Sequence, residues 1–153
     1  MDSRRAGRYE RIYQQLHELT RASPSPTAVM ATICAVLHAK MPHHSWTGFY
    51  LVHDADELHV GPYQGPVACQ VLRGQGVCLH AVQTRSAVVV ADVDAFPGHI
   101  TCDDRSRSEI VVPILFHGNV VAVLDVDAVE TDAFTEADIE PLTRIVSLLA
   151  PHL

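Results

Sequence analysis

The chain has 153 residues, of which 48% are hydrophobic, and its 18 acidic against 11 basic side chains give a formal net charge of −7. The length fits a single domain, and the hydrophobic content is enough for a packed core and too high for a disordered chain. The negative charge disfavours nucleic acid, which needs a basic face, and apolar stretches such as Ile110–Phe116 fall far short of the roughly 18 residues of a membrane span, so neither partner is expected.

Two helices are predicted at the start of the chain. Apolar residues recur at helical spacing from about Arg5 to Arg21 and again from Thr27 to Lys40. A Ser-Pro-Ser-Pro segment, Ser23–Pro26, separates the two patterns. We assign residues 1–26 to an N-terminal helix with its connector, within one domain of residues 1–153.

The middle of the chain changes to the alternating pattern of β-strands. The predicted elements are, in order, strands Trp46–His53, Glu57–Tyr63 and Cys69–Leu72, a short helix Val77–Thr84, and a strand Ala87–Ala91. A turn at Asp54–Asp56 joins the first two strands into a hairpin. A long polar loop, Asp92–Ser108, follows the last strand, and loops of this length are usually functional or disordered.

The last third predicts a second hairpin and a closing helix. Strands Glu109–Phe116 and Val120–Asp127 flank the tight-turn residues His117–Asn119. A helix is predicted from Thr135 to Leu149, and Pro141 requires that it either begin nearer Asp138 or kink. The element order indicates an α+β fold in which helices pack on an antiparallel sheet.

The roles of the four cysteines, Cys34, Cys69, Cys78 and Cys102, are not fixed by their spacing. The N-terminus has no apolar signal segment, so we expect a reducing compartment, in which structural disulfides are uncommon. The thiols are then expected to be buried, metal-bound or redox-active. Cys34 lies on the apolar side of the second helix and is expected in the core.

Cys102 is a candidate nucleophile because it lies in the long polar loop, three residues after His99. A charged histidine beside it would favour the thiolate. The same pattern also fits a half-buried thiol without chemistry.

Three acidic residues form a second candidate site. Asp125 and Asp127 are two apart in a strand and share one face, and Glu109 approaches them across the predicted hairpin. Clustered carboxylates raise one another's pKa, so one of them can act as an acid, and they can also receive an ammonium group. The alternative is that the strand simply ends there and its carboxylates are solvated.

Two aromatic residues, Trp46 and Tyr50, flank Gly48 on one face of a strand. A glycine between them leaves a small concave space that suits a ligand. The alternative is ordinary packing of aromatic side chains on a sheet.

Metal and nucleotide motifs are absent from the sequence. Ten histidines and four cysteines supply ligands, yet there is no Cys-x2-Cys pair and no His-Glu-x2-His helix. There is also no phosphate-binding loop or dinucleotide fingerprint. We therefore expect no metal and no bound cofactor.

Several segments occur in the order in which they recur in one known family. They are Trp46–Tyr50, Gly61–Gly65, Ala68–Cys69, Gly76–Cys78, Phe96–Ile100 with Cys102–Asp103, Ser108–Pro113 and Val123–Asp127. With them the chain resembles the free methionine-(R)-sulfoxide reductases of the GAF-domain type from about Tyr9 to Leu149. The resemblance implies a GAF-like fold, with N- and C-terminal helices on one face of a central antiparallel sheet and a loop-covered ligand pocket on the other.

The resemblance also implies an activity, namely cytoplasmic reduction of free methionine-(R)-sulfoxide by a homodimer. The nucleophile would pass through a sulfenic acid and an intramolecular disulfide, which thioredoxin would reduce with electrons from NADPH. By resemblance, Cys102 matches the nucleophile, Cys69 the resolving cysteine and Cys78 an alternative one. The substrate pocket matches Trp46, Tyr50, Glu109, Asp125 and Asp127, and Glu109 and Asp127 are expected to protonate the sulfoxide oxygen.

Two departures from the family pattern lie beside the resolving cysteines. The segment Gln70–Gln75 is one residue shorter than usual, and Leu79 and His80 replace a pair of small residues. They leave open whether Cys69 or Cys78 resolves. The alternative function is a GAF module that senses a small ligand or redox state without turnover.

Overall fold

Six antiparallel strands form one sheet in the computed structural model, which describes the whole chain, Met1–Leu153. The strands are β1 (Trp46–Asp54), β2 (Glu57–Gln64), β3 (Val71–Arg73), β4 (Val88–Val90), β5 (Ser108–Phe116) and β6 (Asn119–Ala128). Their order across the sheet is β3-β2-β1-β6-β5-β4. The helices are α1 (Ser3–Thr20), α2 (Pro26–Lys40), α3 (Val77–Thr84) and α4 (Ile139–Val146).

Each face of the sheet is covered by its own group of apolar side chains. Helices α1, α2 and α4 pack on one face in a cluster of 22 buried residues, to which Leu124 and Val126 of β6 belong. Helix α3 and the loops cover the other face in a cluster of 12 buried residues, which includes Val123. The predicted α+β arrangement, with terminal helices on one face and a loop-covered pocket on the other, is confirmed.

The β5–β6 hairpin sets the register on which the pocket depends. Its turn residues His117 and Gly118 both have positive φ, 52° and 79°, as a tight two-residue hairpin turn requires. The pairing that follows places Glu109 opposite Asp127 and Val111 opposite Asp125. The predicted approach of Glu109 to the end of β6 is therefore confirmed.

The C-terminal helical segment is interrupted, whereas the sequence pattern predicts one helix from Thr135 to Leu149. The segment consists of a 3-10 turn (Glu136–Asp138), α4, and a second 3-10 stretch (Ser147–His152). Thr135 and Asp138 form a capping box ahead of α4. Pro141 is then the third residue of α4, where a missing N–H costs no helical hydrogen bond.

The prediction of a strand from Cys69 was wrong at its start, because β3 begins only at Val71. The carbonyl of Cys69 accepts a hydrogen bond from the Tyr50 hydroxyl instead of joining the sheet. Cys34 is buried in the helix-side core, as predicted. None of the helices combines the length and apolarity that a bilayer span requires.

Candidate functional site

A pocket of about 610 Å³, partly open to solvent, lies between α3, the loop before β5 and the pocket-side face of β1, β5 and β6. Seven of the eight residues singled out in the sequence line it: Trp46, Tyr50, Cys78, Cys102, Glu109, Asp125 and Asp127. The eighth, Cys69, is bonded to Cys102. The fold thus brings the three separate candidate groups to one place.

A disulfide joins Cys69 to Cys102, with a Cα–Cα distance of 5.4 Å and a sequence separation of 33. It connects the loop before β3 to the loop before β5. Both cysteines are half-buried, and Cys102 also lines the pocket. The bond can therefore be reached from the cavity, unlike a bond sealed in the core.

Two aromatic residues of β1, Trp46 and Tyr50, hold the loop that carries Cys69. The Tyr50 hydroxyl donates to the carbonyl of Cys69 at 2.8 Å, and the Trp46 indole N–H donates to the carbonyl of Pro66 at 3.1 Å. The Trp46 ring stacks between Tyr50 and Tyr63, with ring centroids 5.8 and 5.2 Å away. Trp46 and Tyr50 therefore both line the pocket and hold in place the loop that carries the disulfide.

The concave space predicted over Gly48 is filled, which corrects the sequence interpretation. A Cβ atom at Gly48 would collide with the six-membered ring of Trp46 and with the Cβ of Tyr63. The glycine therefore does not itself leave room for a ligand. It allows the Trp46 ring to lie flat against β1 and so shapes the wall of the neighbouring cavity.

Three carboxyl groups form the acidic part of the pocket. Glu109 and Asp125 are only 5% and 6% exposed, and Asp127 is half-buried. One carboxyl oxygen of Asp125, Oδ1, is buried without a hydrogen-bond partner. For Glu109 and Asp125 the structure thus excludes the alternative of carboxylates solvated at the end of a strand.

Burial is the main cause of the raised pKa values in this cluster. It raises the pKa of Glu109 well above its ordinary range, and the charges of Asp125 and Asp127 raise it further. Burial also raises the pKa of Asp127, with Asp125 and Asp103 adding to the effect. For Asp125 burial raises the pKa, while contacts with Glu109 and Cys78 oppose that rise. Burial and mutual repulsion therefore favour a protonated carboxyl group within this cluster.

Cys78 is a buried thiol in the first turn of α3, with 4% of its surface exposed. Its sulfur and one carboxyl oxygen each of Glu109 and Asp125 lie within 4.8 Å of one another. Burial and these carboxylates raise the pKa of Cys78 well above its ordinary value. In this state Cys78 is a protonated thiol and a weak nucleophile.

His99 faces the acidic cluster, which corrects its expected role. Its Nε2 lies 4.0 Å from Oε2 of Glu109, and burial lowers the pKa of its imidazole. A neutral imidazole supplies no positive charge to favour a Cys102 thiolate. His99 instead contributes a polar edge of the pocket.

The start of α3 is a part of the site that sequence reasoning missed. Gly76, Val77 and Leu79 line the pocket, and no side chain caps the N-terminus of this helix. The first N–H groups of a helix carry partial positive charge and attract anions. Only the glycine break before Val77 could have indicated this. Of the two residues that depart from the family pattern, Leu79 is buried in the wall and His80 is exposed.

Comparison with known proteins places the chain among GAF domains. A family model described as the GAF domain matches residues 23–153. The chain is 41% identical over 142 residues to GAF domain-containing protein A of Dictyostelium discoideum, covering 92% of this chain and 89% of that protein. It is 36% identical over 142 residues to the free methionine-R-sulfoxide reductase of Escherichia coli, covering 92% and 86%.

A solved structure shares the fold over nearly the whole chain. It is the X-ray structure of free methionine-R-sulfoxide reductase from Neisseria meningitidis in complex with its substrate, which superposes with a TM-score of 0.92 at 38% identity. The match covers 99% of this chain and 92% of that one.

Proposed function

Because the chain belongs to the GAF-domain family that includes the free methionine-R-sulfoxide reductases, we propose that it is an enzyme that reduces free L-methionine-(R)-sulfoxide to L-methionine. One observation carries the proposal: the Cys69–Cys102 disulfide and three buried or half-buried carboxyl groups meet at one pocket. A thiol and a nearby acid are what reduction of a sulfoxide needs.

The pocket offers a complementary group to each part of a free amino acid. Asp125, whose buried Oδ1 has no hydrogen-bond partner in the protein, would bind the substrate ammonium. The N–H groups at the start of α3 would bind the substrate carboxylate, and Trp46 and Tyr50 would pack against the methyl group. A methionine sulfoxide within a peptide has neither charge, so it would leave these polar groups without partners.

The chemical step would use Cys102 and one protonated carboxyl group. The Cys102 thiolate attacks the sulfoxide sulfur and forms an S–S bond, while Glu109 or Asp127 protonates the oxygen to a hydroxyl group. That hydroxyl then moves from the substrate sulfur to the Cys102 sulfur as the S–O and S–S bonds to the substrate break. Methionine leaves with the electron pair of the S–S bond, so it is reduced by two electrons, and Cys102 is left as a sulfenic acid. The raised pKa of each of these two carboxyl groups supports their role as proton donors at neutral pH.

The cycle would close through the disulfide. The Cys69 thiol attacks the sulfenic sulfur, which releases water and forms the Cys69–Cys102 bond. Thioredoxin then reduces that bond by thiol–disulfide exchange, with NADPH as the external source of electrons. We assign the resolving role to Cys69 first and keep Cys78 as the alternative, because Cys78 is buried and protonated. We place this cycle in the cytoplasm, where thioredoxin works, and propose a homodimer.

The test is a coupled assay with thioredoxin, thioredoxin reductase and NADPH. We expect NADPH oxidation with free methionine-(R)-sulfoxide, and little with the S epimer or with a peptide sulfoxide. Cys102→Ser should abolish turnover, and turnover that persists in this variant would contradict the nucleophile assignment. Binding of the free sulfoxide without any NADPH oxidation by the wild type would favour the sensor function instead.

A further inference from the structure

Three metal-ligating side chains converge at the outer end of the β1–β2 hairpin. They are His53 near the end of β1 and Glu57 and His59 of β2. One ligand atom from each lies within 4.8 Å of the other two. None of the three lines the substrate pocket. We propose that these residues form a site for a divalent transition-metal ion of the zinc type.

The pairing of the strands explains why these side chains meet. His59 is paired with Leu51, whose side chain packs toward the helix-side core. Glu57 is two residues before His59 and therefore shares its face. The register of β1 shifts between Val52 and Asp54, and the His53 ring stacks on the His59 ring with centroids 4.2 Å apart. All three groups thus lie on the face opposite the pocket.

The distances are close to those of a metal-bound state. Oε2 of Glu57 lies 2.7 Å from Nε2 of His59 and 3.8 Å from Nε2 of His53. Ligand bonds of about 2.0–2.1 Å in tetrahedral zinc put neighbouring ligand atoms about 3.3 Å apart. Each of these two separations differs from that value by about half an ångström. The His53 and His59 rings stack at 19° to each other, so both rings have to rotate before their nitrogens can point at one ion.

The ligand set selects a class of ion. Two imidazole nitrogens with one carboxylate oxygen suit zinc, copper or nickel, whereas magnesium and calcium prefer oxygen ligands alone. The His53 and His59 side chains are 56% and 42% exposed, so an ion can enter from solvent and keep water on its remaining positions.

Arg73 of β3 orients the carboxylate of this site. Arg73 is paired with Glu57 across the sheet, and its Nε donates a hydrogen bond to Oε1 of Glu57. The other oxygen, Oε2, is left facing the two imidazoles. Partners of this kind, outside the ligands themselves, commonly fix the orientation of a metal-binding carboxylate.

The experiment is a calorimetric titration of the disulfide form of the protein with Zn²⁺. We expect one equivalent to bind and the thermal unfolding midpoint to rise, because the ion would join β1 to β2. His53→Ala and His59→Ala should each weaken that binding at least about tenfold, since even indirect partners of a metal contribute that much. His117→Ala, at an exposed histidine of the other hairpin, is the matched control and should leave zinc binding unchanged.

A second possible source of zinc binding is the pocket group of Cys78, Glu109 and Asp125. Zinc binding that is lost in Cys78→Ser and kept in both histidine variants would overturn the proposal. So would the absence of any binding to the wild type. Electron paramagnetic resonance of the Cu²⁺-loaded wild type needs no variant, and it should show coupling to two imidazole nitrogens. A spectrum without nitrogen coupling would also overturn the site.

Discussion

Glu109 of β5 and Asp127 of β6 are directly paired across the sheet, and both side chains line the pocket. Asp125, two residues before Asp127, shares that face, so three acids occupy a region from which water is largely removed. Burying ionised carboxylates without cationic partners is costly. The protein therefore keeps an arrangement that lowers its own stability, and the proposed chemistry accounts for this because it needs a protonated acid and an anion side by side.

We expect a substitution in the acidic cluster to lower activity and to raise stability. Glu109→Gln keeps the shape but removes an ionisable group, so we expect turnover to fall about 10²–10⁴-fold through loss of a proton donor. The free energy of unfolding at neutral pH should rise by about 1 kcal/mol. Urea unfolding of the disulfide form, beside the coupled assay, measures both quantities. Full activity in Glu109→Gln would leave Asp127 as the remaining candidate acid.

The stability gain of Glu109→Gln should depend on pH. The folded protein holds the pKa of Glu109 well above the ordinary value of 4.5. At a pH between 4.5 and the folded pKa, Glu109 is therefore ionised in the unfolded chain and protonated in the folded one. The wild type is then destabilised progressively as pH rises from 4.5 toward the folded pKa. The difference between the variant and the wild type should be small near pH 4.5 and grow toward neutral pH. A pH-independent difference would contradict this.

Two histidines between α2 and β1 are expected to make stability fall as the pH falls, the opposite of the effect of Glu109. Burial lowers the pKa of His43 to about 4 and that of His44 well below 6.5. His44 is 4% exposed and its Nε2 has no partner. Both rings are neutral above pH 6.5, and their contribution to stability is lost as pH falls from there toward 4. His44→Gln should therefore show a smaller loss of unfolding midpoint between pH 7.5 and 5 than the wild type.

The close contact of Gly48 with Trp46 and Tyr63 leaves no room for a side chain at this position. A methyl group there would displace the Trp46 ring and Tyr63, so Gly48→Ala should lower stability by about 1–3 kcal/mol and raise the KM for the sulfoxide. The matched control is Gly7→Ala in α1, where a Cβ meets only the end of the Arg11 side chain. That substitution should be neutral or stabilising. An unchanged KM in Gly48→Ala would contradict a role of the Trp46 ring in substrate binding.

The sequence predicts the pocket face well because strand periodicity is a local property. The alternation of Val123, Asp125 and Asp127 assigned these side chains to one face, and the tight turn at Gly118 set the register that brings Glu109 to them. Bonding of Cys102 to Cys69 depends instead on how two loops pack over the sheet. The proximity of His53 to His59 likewise depends on a register shift, which the spacing of residues in the sequence does not predict.

The positions of Cys69 and Cys78 predict which thiol resolves the oxidised Cys102. Cys69 is half-buried in a loop beside Cys102, whereas Cys78 is fixed in α3 next to two carboxyl groups that keep it protonated. Cys78→Ser should keep disulfide formation after one equivalent of sulfoxide and most of the thioredoxin-dependent turnover. Cys69→Ser should still release methionine once, yet turn over at least about tenfold more slowly, because a protonated thiol attacks poorly. Mass mapping of the disulfide under non-reducing conditions reads out the pairing, and a Cys78–Cys102 bond in the wild type would reverse the assignment.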